Sequence, residues 1–111
     1  MEIKGYTLHG DYYLADEIIP NINWEKARRI EKIVNLPNGE IVIAQLLSKK
    51  ELETISKKER YCGKWYWTRT SYDAHYHAWN VDNDGEFFYS DIGYFSDKGG
   101  ARLGFKNPFA N

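Results

Sequence analysis

Between Trp65 and Ser90 the chain reads WYWTRTSYDAHYHAWNVDNDGEFFYS, a density of rings that suits a pleated sheet far better than a helix. From Trp65 to Thr70 the residues alternate, with Trp65, Trp67 and Arg69 opposed to Tyr66, Thr68 and Thr70, because successive strand side chains point to opposite faces. From Tyr76 to Asp82 they alternate again, with His77, Trp79 and Val81 opposed to Tyr76, Ala78, Asn80 and Asp82. Asn83-Asp84-Gly85 then precedes the aromatic piece Glu86 to Ser90. Asp-Gly supplies the positive φ angles of a tight hairpin turn, so a hairpin is predicted across residues 76–90.

A chain of 111 residues forms one domain, residues 1–111, with a real core but not two. Its aromatic content is 16 %, including four Trp and nine Tyr. A core this small buries only some of those rings, so an exposed aromatic recognition face is expected beside the plain explanation of sheet propensity. Fifteen Lys and Arg against 16 Asp and Glu give no bulk attraction to nucleic acid or anionic membrane. The lone Cys62 excludes an intrachain disulfide and a multi-cysteine zinc site. With no apolar segment after the first Met and no run of membrane-spanning length, a cytoplasmic protein is expected.

Along the chain, Ile3 to Leu14 reads as a strand or a hairpin around His9-Gly10-Asp11. Asn23 is placed to cap a helix from Trp24 to about Val34, whose apolar stripe is Trp24, Ala27, Ile30, Ile33 and Val34. Its opposite face, Lys26, Arg28, Arg29 and Lys32, is balanced by Glu25 and Glu31 and reads as solvated surface rather than a nucleic-acid site. Asn35 to Gly39 breaks the helix, and Ile41 to Leu47 reads as a strand buried on both sides. Ser48-Lys49-Lys50-Glu51 is a capping box flanked by Leu47 and Leu52, predicting a second helix from Lys49 to about Lys57. Asp91 to Phe95 reads as a turn or short strand, Ser96 to Gly100 as a loop, and Ala101 to Lys106 as the last strand. The order is α+β.

Five motifs occur in a fixed order. They are Ile22-Asn23-Trp24-Glu25-Lys26-Ala27, Leu46-Leu47-Ser48-Lys49-Lys50-Glu51-Leu52, Tyr66-Trp67-Thr68-Arg69-Thr70, Ala78-Trp79-Asn80-Val81 leading to Asp84-Gly85, and Ala101-Arg102-Leu103. Over residues 10 to 106 this resembles the bacterial and phage C-type-lectin-like domains of the Lcl C-terminal-like group, relatives of formylglycine-generating-enzyme domains. Leu47 stands where that pattern usually has Pro. The resemblance implies a compact fold of two helices against a twisted, mostly antiparallel sheet. It also implies paired N- and C-terminal strands, with Tyr12 to Leu14 beside Ala101 to Phe105. It implies no single ligand. Calcium-dependent sugar binding does not carry over, because Val81 follows Trp79-Asn80 and Leu36-Pro37-Asn38 lacks a leading carboxylate. The chemistry of the sulfatase-modifying relatives needs a cysteine pair, and Cys62 is alone.

Asn80 to Asp91 offers alternating oxygens loosely like an EF-hand loop, but strands rather than helices flank it, which favours the hairpin. His75 and His77 share a strand face and, with His9 or Cys62, are the candidate ligands of a metal-dependent enzyme. Packing or recognition is the plainer role for two histidines beside Tyr72, Tyr76 and Trp79. Cys62 is expected to be a small buried hydrophobe, and Arg102 a structural hydrogen-bond donor. The expectation is a non-enzymatic domain, without metal or cofactor, that contacts a protein partner through Trp65, Trp67, Arg69, Tyr72, His75, Tyr76 and His77. A phage or mobile-element inhibitor of a host defence enzyme, anti-CRISPR-like, is a narrower form of the same role.

Overall fold

The computed structural model of the chain describes residues 2–73, 76–93 and 97–109. Among the described residues ten strands and three short helices follow in order. The first half holds β1 (Tyr6–His9), β2 (Tyr12–Ala15), β3 (Ile19–Ile22), α1 (Trp24–Ala27), β4 (Lys32–Asn35), β5 (Ile41–Leu46) and α2 (Lys49–Glu53). The second holds α3 (Lys57–Arg60), β6 (Tyr66–Asp73), β7 (His77–Val81), β8 (Phe87–Asp91), β9 (Gly99–Ala101) and β10 (Leu103–Lys106). The fold is mixed α+β and mostly sheet. The strands form two five-stranded sheets, β1-β2-β10-β5-β4 and β3-β9-β6-β7-β8, where the sequence suggested one. The expected last strand is interrupted at Arg102, where the chain crosses between sheets, giving β9 to one and β10 to the other. Every described strand pair is antiparallel except β6 with β9.

The expected pairing of the two ends of the chain is present, with Tyr12 opposite Lys106, Tyr13 opposite Phe105 and Leu14 opposite Gly104. The expected hairpin around His9 to Asp11 is β1–β2, and the hairpin across residues 76–90 is β7–β8. In the latter turn, the Asp82 carboxylate accepts the backbone N–H groups of Asp84 at 2.9 Å and Glu86 at 3.0 Å. Gly85 takes φ +86° where a Cβ would lie 2.6 Å from the Lys57 carbonyl, so the turn needs glycine on two counts.

The first helix is much shorter than expected. Asn23 caps it, accepting from the Lys26 N–H at 3.0 Å, but it stops at Ala27 and residues 32–35 form β4, paired with β5. Asn38-Gly39 is therefore a hairpin turn rather than only a helix breaker, and a hairpin demands a strand on each side. The β4–β5 hairpin buries Val34, Ala44 and Leu46 while Ile33, Ile41 and Ile43 stay exposed, so the first part of β5 is covered on one face, not two. The second helix is split. The Ser48 capping box forms as expected, with its two bonds at 3.0 and 2.9 Å, but α2 ends at Glu53 and Ser56 caps α3. The Arg60 guanidinium donates to the Leu52 and Ile55 carbonyls at 3.3 and 2.6 Å, satisfying acceptors near the end of α2.

β6 divides the interior. Trp67 joins Trp24, Ala27, Ala101, Leu103 and Phe105 in one cluster, while Tyr66 joins Leu14, Leu47, Leu52, Ile55 and Val81 in the other. Two indoles tie the first cluster together: Trp24 donates to the Thr68 carbonyl and Trp67 to the Ile22 carbonyl, both at 2.9 Å. No helix among the described residues is long and apolar enough to cross a membrane.

Candidate functional site: an aromatic patch on β6, β7 and β8

The residues expected on one face are separated by the structure. Trp67 is 0 % exposed, so it belongs to the core and is withdrawn from the contact surface. Trp65 is half-buried, edge-on to Trp67 with ring centres 4.9 Å apart, and lines a cavity together with Phe88. Arg69 is exposed at an irregularity where the β6–β7 register shifts between Trp67 and Ser71. There the Arg69 N–H donates to the Leu47 carbonyl at 2.9 Å, the Thr68 hydroxyl donates to the Trp79 carbonyl at 3.0 Å and the Thr70 N–H donates to the Thr68 hydroxyl at 3.1 Å. Shifted pairing of this kind bends a strand and re-aims the side chains beyond it.

Beyond it the rings gather. Tyr72 stacks on Tyr89 at 4.2 Å and 6°, and Tyr89 lies parallel to Phe88 at 5.0 Å and 6°. Trp79 meets Tyr72 edge-on at 5.0 Å, and His77 meets Tyr89 edge-on at 5.3 Å. Tyr72, Tyr89, Phe88 and Tyr76 remain 47, 38, 57 and 65 % exposed. On one flank the Lys49 ammonium lies 4.7 Å from the Trp79 ring centre and 4.9 Å from that of Phe87, a cation over ring faces, and is held by Glu53 at 2.8 Å. At the β6–β7 turn the Asp73 carboxylate accepts the N–H groups of Tyr76 and His77 at 3.1 and 2.8 Å and contacts His77 Nδ1 at 3.0 Å. That ring contact, reinforced by the two amides against slight desolvation, lowers the Asp73 pKa.

Of the expected contact residues, then, Tyr72 and His77 come together, Tyr76 is exposed at the adjoining β6–β7 turn, Trp65 packs on Trp67, Arg69 lies at the strand irregularity, and His75 falls outside the described residues. Tyr89 and Phe88 were not foreseen. Among the described residues no three His, Cys, Asp or Glu side chains gather so as to hold a metal ion. Cys62 is half-buried, with its thiol 3.3 Å from the Lys64 carbonyl. Arg102 has the structural role expected of it: its guanidinium donates to the carbonyls of Ala15 and Arg60 at 3.3 and 3.1 Å and to the Tyr66 hydroxyl at 3.3 Å.

Fold and patch together define an α+β, mostly sheet, protein that displays stacked tyrosines at the rim of one sheet. No protein-family model, curated protein or solved structure matches the chain.

Proposed function

We propose that the chain is a non-enzymatic, C-type-lectin-like domain that binds a protein partner through Tyr72, Tyr76, His77, Phe88 and Tyr89. The observation that carries it is the parallel stack Tyr72–Tyr89–Phe88, open to solvent. Rings already stacked lose little freedom when a partner covers them, and Tyr is among the residues that dominate binding energy. The patch reaches β8, the outermost strand of its sheet, where backbone groups are available to a partner's extended segment. The lectin-like assignment is supported by the β2–β10 pairing and by the Asp84-Gly85 hairpin.

The test is capture from a bacterial lysate by wild type and by a Tyr72→Ala/Tyr89→Ala variant shown by circular dichroism to be folded. A partner retained by wild type is then purified and titrated against both. The expected result is at least about 100-fold weaker binding by the variant, the scale of losing two hot-spot tyrosines. Equal affinity for a folded variant would remove the patch from consideration.

A further inference from the structure

Beside the stacked rings, two cavities share a wall. One, about 330 Å³, is lined by Trp65, Asn80, Asp82, Asp84, Phe88 and Ser90. The other, about 250 Å³, is lined by Lys64, Lys98, Gly99 and Gly100. Trp65 and Asn83 line both. The wall is fixed: Trp65 is braced edge-on by Trp67 at 4.9 Å and lies so close over Gly99 that a Cβ there would come within 2.2 Å of its ring. Asn80, 2 % exposed, is held through its amide N–H₂ by the Ser90 hydroxyl at 2.6 Å. The charged side chains lining the first cavity are Asp82 and Asp84; those lining the second are Lys64 and Lys98. Lys57, which feels both aspartates more weakly than it feels Glu86, is tied to Glu86 at 2.6 Å.

We propose that the two cavities form one groove for a dipolar peptide, its cationic group beside Asp82 and Asp84, its apolar middle on Trp65 and its carboxylate beside Lys64 and Lys98. A rigid aromatic wall flanked by opposite charges selects a ligand that carries both charges, because either end alone gains half of the pairing and leaves the other half of the groove uncovered. The charges are the termini of a short free peptide, a ligand of a size to fill two adjoining cavities of about 330 and 250 Å³. This groove meets the tyrosine patch at Phe88, which lines the first cavity and lies parallel to Tyr89.

The test is titration of the full chain with trialanine, N-acetyl-trialanine, trialanine amide and the blocked peptide acetyl-Lys-Gly-Glu-amide, followed by tryptophan fluorescence and by the Trp65 indole N–H resonance. Binding is expected for trialanine, and tighter binding of the blocked peptide would overturn the assignment to peptide termini. Removing either terminal charge is expected to weaken binding about tenfold, a scale of one ion pair. Asp84→Asn is expected to weaken it similarly towards the cationic end, and Lys98→Gln towards the anionic end, both being exposed substitutions that leave the fold intact. Tyr72→Ala, which leaves the contact of Tyr89 with Phe88 in place, is expected to leave peptide binding unchanged, which separates this groove from the partner patch. No binding of trialanine at about 10 mM, or binding indifferent to both Asp84→Asn and Lys98→Gln, would overturn the proposal.

Discussion

His9 shows how one side chain carries the pH response of its surroundings. Burial lowers its pKa below 6.5, with Arg102 adding to the effect and Glu59 and Asp16 opposing it. In this range the unfolded chain binds more protons than the folded one. The stability that neutral His9 contributes is therefore complete above pH 6.5 and is lost as pH falls through the folded value. Replacing it by Gln is expected to reduce the fall in Tm between about pH 7.5 and pH 5; an unchanged fall would exclude His9 as a source. Other residues illustrate what a sequence displays. Strand alternation correctly put Trp65 and Trp67 together, but β6 is covered on both faces, where Tyr66, Trp67 and Thr68 are all buried, so alternation carries no information about which ring reaches solvent. Tyr89 was within reach: a turn centred on Asp84 sets Trp79 opposite Tyr89, the pairing observed.

Elements were legible where a local signal stands alone and obscure where two compete. The Ser48 box acts through its own four residues, and its bonds formed as expected. Ser48→Ala is expected to cost about 1 kcal/mol, measured by urea unfolding; a loss near zero would mean that the Lys49 N–H bond to the Thr70 hydroxyl at 3.0 Å holds α2 by itself. After Ala27 the signals conflict. Ile30, Ile33 and Val34 fit a helical stripe, yet the same β-branched residues suit a strand, and Asn38-Gly39 lets that strand pair with β5. Pairing with a neighbour outweighed the local period. The break between α2 and α3 has a local sign of the same kind as the Ser48 box, Ser56 three residues before Glu59, whose N–H it accepts at 3.3 Å; its other support is not local, since Arg60 lies five and eight residues beyond the carbonyls it binds.

At the scale of the molecule, Arg102 stands where the chain passes between sheets and joins both. It binds Ala15 at the end of β2 and Tyr66 at the start of β6, while the Tyr66 hydroxyl donates to the Arg60 carbonyl at 2.7 Å. Arg102→Met is expected to destabilise the protein by about 3 kcal/mol, because buried acceptors lose their donor. Arg102→Lys is expected to recover less than half of that, since a single ammonium does not reproduce the fork. Urea midpoints at constant m-value check both, and a Met variant as stable as wild type would deny the arginine its joining role. The crossing has no local sign in the sequence: Ala101 to Lys106 alternates as one strand, with Leu103 and Phe105 on one face and Arg102, Gly104 and Lys106 on the other, and nothing in it says that its halves pair with different neighbours. β10 lies between β2 and β5, made respectively near the start and in the middle of the chain. On a ribosome, which releases a chain from its N-terminus at about 5–20 residues per second, those two strands wait with their central position vacant until residues 103–106 clear the exit tunnel. The first sheet therefore gains its central strand only once residues 103–106 have emerged, and until then β2 and β5 each present an edge without the neighbour it has in the folded protein.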